Sequence, residues 1–194
     1  MEKYYVVKYS GLFGFIKPWT AVRDSETFSQ QFLTPSIVEG IEKKLFPELL
    51  NEIGIKKIVG HRLSYTQISQ QQEVIQTRGW NSTKKGREIL FERLTAILIR
   101  GVLLEPVLHL AFRAKENAEG AFMQHICLCR NEDILMPIDL IEIEKENFDN
   151  EELFSGYELV FENNDNAFQV GYNRQTQKPM FGWLKIVGTP IKSF

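Results

Sequence analysis

The sequence predicts a β-rich α+β fold built around one principal helix. Short runs rich in β-branched and aromatic residues recur along the chain, and Asn, Asp, Gly and Pro separate them. One segment, near residue 35, instead carries clean helical punctuation. With 194 residues, 43% of them hydrophobic and 25% charged, the chain is long enough for one sizeable core or two small ones.

Residues 4–16, YYVVKYSGLFGFI, read as an opening strand with a bend at Gly11, closed by Lys17 and Pro18. Residues 18–33 show little periodicity and hold Trp19, Arg23, Phe28, Gln30, Gln31 and Phe32, so they read as a projecting arm of the kind that carries function. A helix follows over about 35–46. Thr34 is placed to cap it, Pro35 suits the first helical position, and Ile37, Val38, Ile41 and Leu45 recur on one face. It either stops at Phe46 or resumes past Pro47 until Gly54.

Residues 55–68 alternate imperfectly and read as a second strand, whereas residues 69–88 are polar, basic and aperiodic and read as a long loop. Residues 89–114 fit a helix followed by a strand, or two long strands, with Pro106 interrupting either; VLHLAF favours strand. Five short candidate strands follow in AFMQHICLC, ILMPIDLIEIE, GYELVFE, AFQVGY and MFGWLKIVG. Residues 1–115 read as an N-terminal domain and residues 116–194 as a β-rich C-terminal part.

The net charge of −2 conceals an asymmetry. Residues 1–115 hold 17 basic against 11 acidic side chains, and residues 116–194 hold 6 against 14. Such a division suggests a basic surface for phosphate on one part and a protein partner or solvent for the other, with acidic loops between 139 and 165 as the plainer explanation. No apolar run approaches the roughly 20 residues of a membrane span, which together with a start lacking a signal pattern points to a cytoplasmic protein. Cys127 and Cys129 sit too close in sequence for a good mutual disulfide, and no further ligands flank them for zinc. No cofactor is expected.

His61, His109 and His125 are the only imidazoles, in no metal-ligand spacing. His109 alternates with leucines and reads as a core or edge residue. His61, beside Arg62 and near Tyr65, could hold an RNA phosphate and exchange protons with it. Stronger signals are the basic, aromatic and amide residues of the 69–88 stretch, above all Gln76, Arg78, Trp80, Lys84, Lys85 and Arg87, which together suit single-stranded RNA. Trp80 either stacks on a base or tucks into the core. Lys17, Trp19, Arg23, Phe28 and Gln30 of the arm, with Arg62 and Tyr65, complete the expected RNA-binding set.

The opening strand with Gly11, Phe13 and Phe15, followed by SETFSQQFLTPSIVEGIEKKLF, resembles the CRISPR-associated Cas-five family, nearest its type I-C form. The family's Glu-x-x-Ser-Tyr arm, Pro-Thr pair and Gly-Ile helix are matched here by Glu26, Ser29, Thr34, Gly40 and Ile41, with Gln30 replacing Tyr and Leu33 replacing Pro. The resemblance is carried by residues 4–46 and extends to about 114.

It implies an RRM-like, ferredoxin-type core of the RAMP superfamily with a projecting thumb beginning at about 18–33. It also implies a role in antiviral defence: holding the five-prime handle of the guide RNA (crRNA) at one end of Cascade. The partners would be the backbone and large subunits, with target DNA reached only through the complex and no membrane involved. The type I-C form also cuts precursor guide RNA with a tyrosine after the Gly-Ile helix and a Lys-His pair. Phe46 stands at the tyrosine position and no Lys-His dipeptide occurs, so the expectation is a non-catalytic RNA holder. The alternatives are a metal-independent endoribonuclease using His61 or Tyr65, and an interaction module without nucleic acid.

Overall fold

The computed structural model describes residues 2–18, 25–173 and 176–191. The fold is α+β, mostly antiparallel, with two α-helices among the described residues. Strand β1 (Lys3–Ser10) lies inside an eight-stranded sheet, antiparallel to β7 (Val107–Phe112) on one side and β9 (Ile134–Glu144) on the other. Its apolar residues serve both faces. Val7 and Tyr9 are buried with Leu108, Leu110 and Phe112 under the helices, while Tyr4, Val6 and Ala111 meet Phe148 and Phe154 on the reverse. A strand covered on both faces loses the simple alternation of a half-wet one.

Helix α1 (Pro35–Leu45) starts where its punctuation predicts. Thr34 occupies the cap position without a side-chain cap bond; its carbonyl instead accepts the N–H groups of Ile37 and Val38, each at 3.0 Å. Val38, Ile41 and Leu45 are buried, and so is Glu42. That carboxylate accepts the backbone N–H groups of Lys56 (2.8 Å), Lys57 (2.6 Å) and Ile58 (2.8 Å), fastening α1 to the start of β4 (Ile58–Ser64). The helix does not resume as α-helix past Pro47; a single 3-10 turn, Pro47–Leu49, leads to Gly54 at φ +78°.

The stretch 69–88 is not a loop. It belongs to an antiparallel hairpin of β5 (Gln67–Lys85) and β6 (Glu88–Leu104), which also replaces the helix option for residues 89–104. The reason is physical: both faces of the outer ribbon meet solvent, so nothing forces an apolar/polar period on it. Its two-residue turn has Gly86 first, at φ +67°, the conformation such hairpin turns require. At the base, β2 (Phe13–Gly14) pairs antiparallel and β3 (Glu26–Phe28) parallel with β6. Phe28 lies over Gly101 so closely that a β-carbon there would come within 2.2 Å of its ring.

The projecting element is therefore the 67–104 hairpin, and residues 25–29 of the 18–33 arm lie along its base, where the Ser29 N–H donates to the Gly101 carbonyl at 2.7 Å. Helix α2 (Lys115–Phe122) was not expected from the sequence; it buries only Ala118 and Ala121, too small an apolar face to announce itself over eight residues. Residues 121–122, read as the start of a strand, complete this helix, and the strand there shrinks to β8 (Ile126–Cys127).

The chain then adds β10 (Gly156–Val160), β11 (Phe168–Asn173) and β12 (Lys178–Val187). The sheet runs β11-β12-β10-β4-β7-β1-β9-β8. Residue 115 begins α2, and strands from both sides of it share this sheet. No helix among the described residues is long and apolar enough to cross a membrane.

Candidate nucleic-acid interface

The outer hairpin, residues 76–95, carries five basic side chains, Arg78, Lys84, Lys85, Arg87 and Arg93, against Glu88 and Glu92. None of the five joins an ion pair among the described residues, so their charge faces solvent. Cross-strand register assigns the faces: Trp80 opposite Arg93, Ser82 opposite Phe91 and Lys84 opposite Ile89 lie on one side of the ribbon. Trp80 is 57% exposed and Phe91 67%. The Arg93 guanidinium stands 4.4 Å from the centre of the Trp80 ring, a cation–π contact across the two strands.

Between Gln76 and Trp80 the register shifts, leaving Thr77, Arg78 and Gly79 opposite a single residue of β6. Such a bulge bends the ribbon, and Arg78 within it is exposed. At about 3.3 Å per residue, strands of 17 and 19 residues reach roughly 55–65 Å, and β2 and β3 pair only with residues 99–104 at the base of β6. Among the residues expected to bind RNA, Gln76, Arg78, Trp80, Lys84, Lys85 and Arg87 thus share one exposed projection. Trp80 does not tuck into the core.

The remaining candidates divide. Lys17 is exposed at the foot of the arm, and Trp19 and Arg23 lie outside the described residues. Phe28 is partly exposed but its ring covers Gly101. Gln30 is held by its backbone N–H on the Ile16 carbonyl at 2.8 Å and turns its amide nitrogen inward.

Arg62 and Tyr65 require correction, because both are core residues. Arg62 is 1% exposed, paired with Glu158 and, at 2.7 Å, with Asp149, above the Phe148 ring. A guanidinium so enclosed is neutralised by its own carboxylates and has no route to a phosphate. The buried Tyr65 hydroxyl donates to Gln31 Oε1 at 2.6 Å, and burial pushes it up to about 12.

His61 is likewise inside, 3% exposed, and burial with the Arg62 guanidinium beside it pushes the imidazole down to about 3. Neither His61 nor Tyr65 is suited to exchanging protons near neutral pH. Phe46, at the position the resemblance assigns to a catalytic tyrosine, is buried edge-on to Phe112 at 6.0 Å with the Lys57 ammonium 3.9 Å from its ring centre. His109 is buried against Phe154, as expected of a core residue. No cluster of His, Cys, Asp and Glu able to hold a metal occurs among the described residues.

The imidazole of His61 gives a pH prediction. The unfolded chain takes up its proton near 6.5 and the folded chain only near 3, so the unfolded state binds more protons in between and stability falls on acidification. Between pH 6.5 and 5 the expected loss is about 1.5 kcal/mol, the slope approaching about 1.4 kcal/mol per pH unit only once the unfolded imidazole is mostly protonated. Urea melts of the protein and of His61→Phe check it: the variant should show a flatter pH profile, and parallel profiles would refute the assignment.

Sequence reasoning missed Arg93 and Phe91. Their signal is the Lys-Gly-Arg-Glu turn, which, once read as a hairpin tip, counts Arg93 back to Trp80. No family model matches the chain, and neither does any curated protein.

Proposed function

We propose that the chain is a guide-RNA-binding subunit of a type I CRISPR effector complex, gripping RNA with the outer hairpin and acting without catalysis of its own. The observation that carries this reading is the solvent-facing cationic and aromatic tip, in which Arg78, Lys84, Lys85 and Arg87 share the hairpin with the Trp80–Arg93 pair. Phosphate pairing with a stacking platform is the combination single-stranded RNA takes. The succession β1-α1-β4-β7-α2-β9, with β4-β7-β1-β9 adjacent in space, supports a ferredoxin-like, RAMP-type core, because that is the order of a split βαβ sheet. In this reading the hairpin is the thumb.

The ribbon also exposes Ile89, Leu90, Leu94 and Ile97, on both of its faces. A patch of this kind marks a protein contact, and the neighbouring backbone subunit is the partner it suits. The same residues favour the second reading, an interaction module without nucleic acid. Anisotropy titrations with single-stranded RNA at low and moderate salt separate the two, because phosphate contacts make affinity fall steeply with salt. Co-expression with genes flanking a repeat array should recover guide RNA and a backbone protein with the chain. Recovery free of both, with no RNA affinity at low salt, would refute the proposal.

A further inference from the structure

The bulge in the outer hairpin adds its extra residues to β5, so β6 alternates without interruption from Glu88 to Leu98. Residues directly opposite each other share a side, and the register therefore sorts the ribbon into two surfaces. Phe91, Arg93 and Thr95 lie on one, with Ser82, Trp80 and Gln76 across from them. Leu90 and Leu94 lie on the other, with Thr83 across from Leu90. The two surfaces differ in charge. All three carboxylates of these strands, Glu73, Glu88 and Glu92, belong to the second. From Val74 to the turn the first holds Lys84 and Arg93 and no carboxylate; only at its base does Glu26 stand beside it, accepting from Gln70 Nε2 at 2.9 Å.

We infer that single-stranded RNA lies along the first surface alone, its bases stacked on Trp80 and Phe91, its phosphates on Lys84 and Arg93, and a base edge at Gln76. The inference rests on the RNA-binding reading and decides which side of the hairpin that reading uses. Trp80 and Phe91 occupy diagonal positions of the ladder, about 7–8 Å apart at their β-carbons, and Trp80 stays more than half exposed with Arg93 against it. The cations of the second surface come with carboxylates: Arg100 pairs with Glu73 at 3.2 Å, and Lys85 stands directly opposite Glu88. Glu92 faces only Asn81 there and repels a polyanion. The exposed apolar groups of that surface, Leu90 and Leu94, have no π-face on which a base could stack. Lys85 therefore leaves the set of direct contacts expected from the sequence, and Phe91 joins it.

Ser82 and Thr83 are exposed neighbours on opposite surfaces, so a glutamate at either adds the same charge at nearly the same height on the ribbon. The test is the binding of a fluorescein-labelled single-stranded RNA of about 12 nucleotides to the full chain, read by anisotropy at low salt. Ser82→Glu should weaken binding at least about fivefold more than Thr83→Glu, because only the first sets a carboxylate against the phosphates. A second pair of variants leaves the charge alone. Trp80→Ala with Phe91→Ala, which removes two stacking platforms, should weaken binding at least about thirtyfold, and Leu90→Ala with Leu94→Ala at least about fivefold less than that.

A difference below about fivefold in either pair overturns the single-surface assignment. If RNA still binds with a steep salt dependence in that case, the proposed function stands without it. No binding of RNA by the unaltered chain at low salt removes the proposed function and this inference together.

Discussion

Replacing Arg78, Lys84, Lys85, Arg87 and Arg93 together with glutamine is expected to weaken single-stranded RNA binding about a thousandfold near 0.15 M salt. The magnitude follows from counterion release at about 0.7 per phosphate neutralised, so five contacts give a salt slope of about −3.5. The variant should have lost that slope as well as the affinity. Its stability should hardly change, because all five side chains are exposed and join no ion pair among the described residues. Glutamine keeps the aliphatic stems and polar ends, which separates charge from packing. A variant that binds RNA with unchanged affinity and slope would move the grip off the hairpin. Trp80→Ala should add a smaller loss of about 1–3 kcal/mol through stacking, with little change in salt slope.

Glu42→Ala is expected to cost about 3–5 kcal/mol of folding stability, a large share of the roughly 5–15 kcal/mol that holds a domain together. The side chain is fully buried, and its three backbone donors, at Lys56, Lys57 and Ile58, have no water to turn to once the carboxylate is gone. Hydrogen bonds to a charged acceptor contribute about 1.5–3 kcal/mol each, and three orphaned donors do not all relax. The damage would centre on the junction of α1 with β4. Urea denaturation provides the measurement. A loss below about 1 kcal/mol would mean that the 56–58 turn finds other acceptors or stays wet.

These two residue sets show how differently the fold and the site could be read in advance. Helix α1 was legible because Thr34, Pro35 and the spacing of Val38, Ile41 and Leu45 are local signals. Glu42 was not, since a glutamate on a helix ordinarily faces solvent and its three partners lie 14–16 residues away. The basic residues of the hairpin were legible as a set but not as a shape. Their stretch obeys no period because a two-stranded ribbon wet on both faces imposes none. Arg62 was misjudged for the opposite reason: its carboxylates are Asp149 and Glu158, supplied by the far end of the chain.

The sequence by itself determined the class of the protein, its principal helix, the strands flanking it and the chemistry of a cationic, aromatic, amide-rich segment. All of these depend on neighbours in the chain, through caps, turns and periodicity. Tertiary structure alone decided that this segment projects as a hairpin, that Arg62, Tyr65 and His61 face inward, and that the His61 Nε2 is buried without a hydrogen-bond partner. Each depends on which strands become neighbours: β10 beside β4 encloses Arg62, and β6 beside β5 sets Arg93 against Trp80. Burial and pairing arise between distant segments, and a residue's exposure, its charge state and its partner are fixed only when the sheet is assembled.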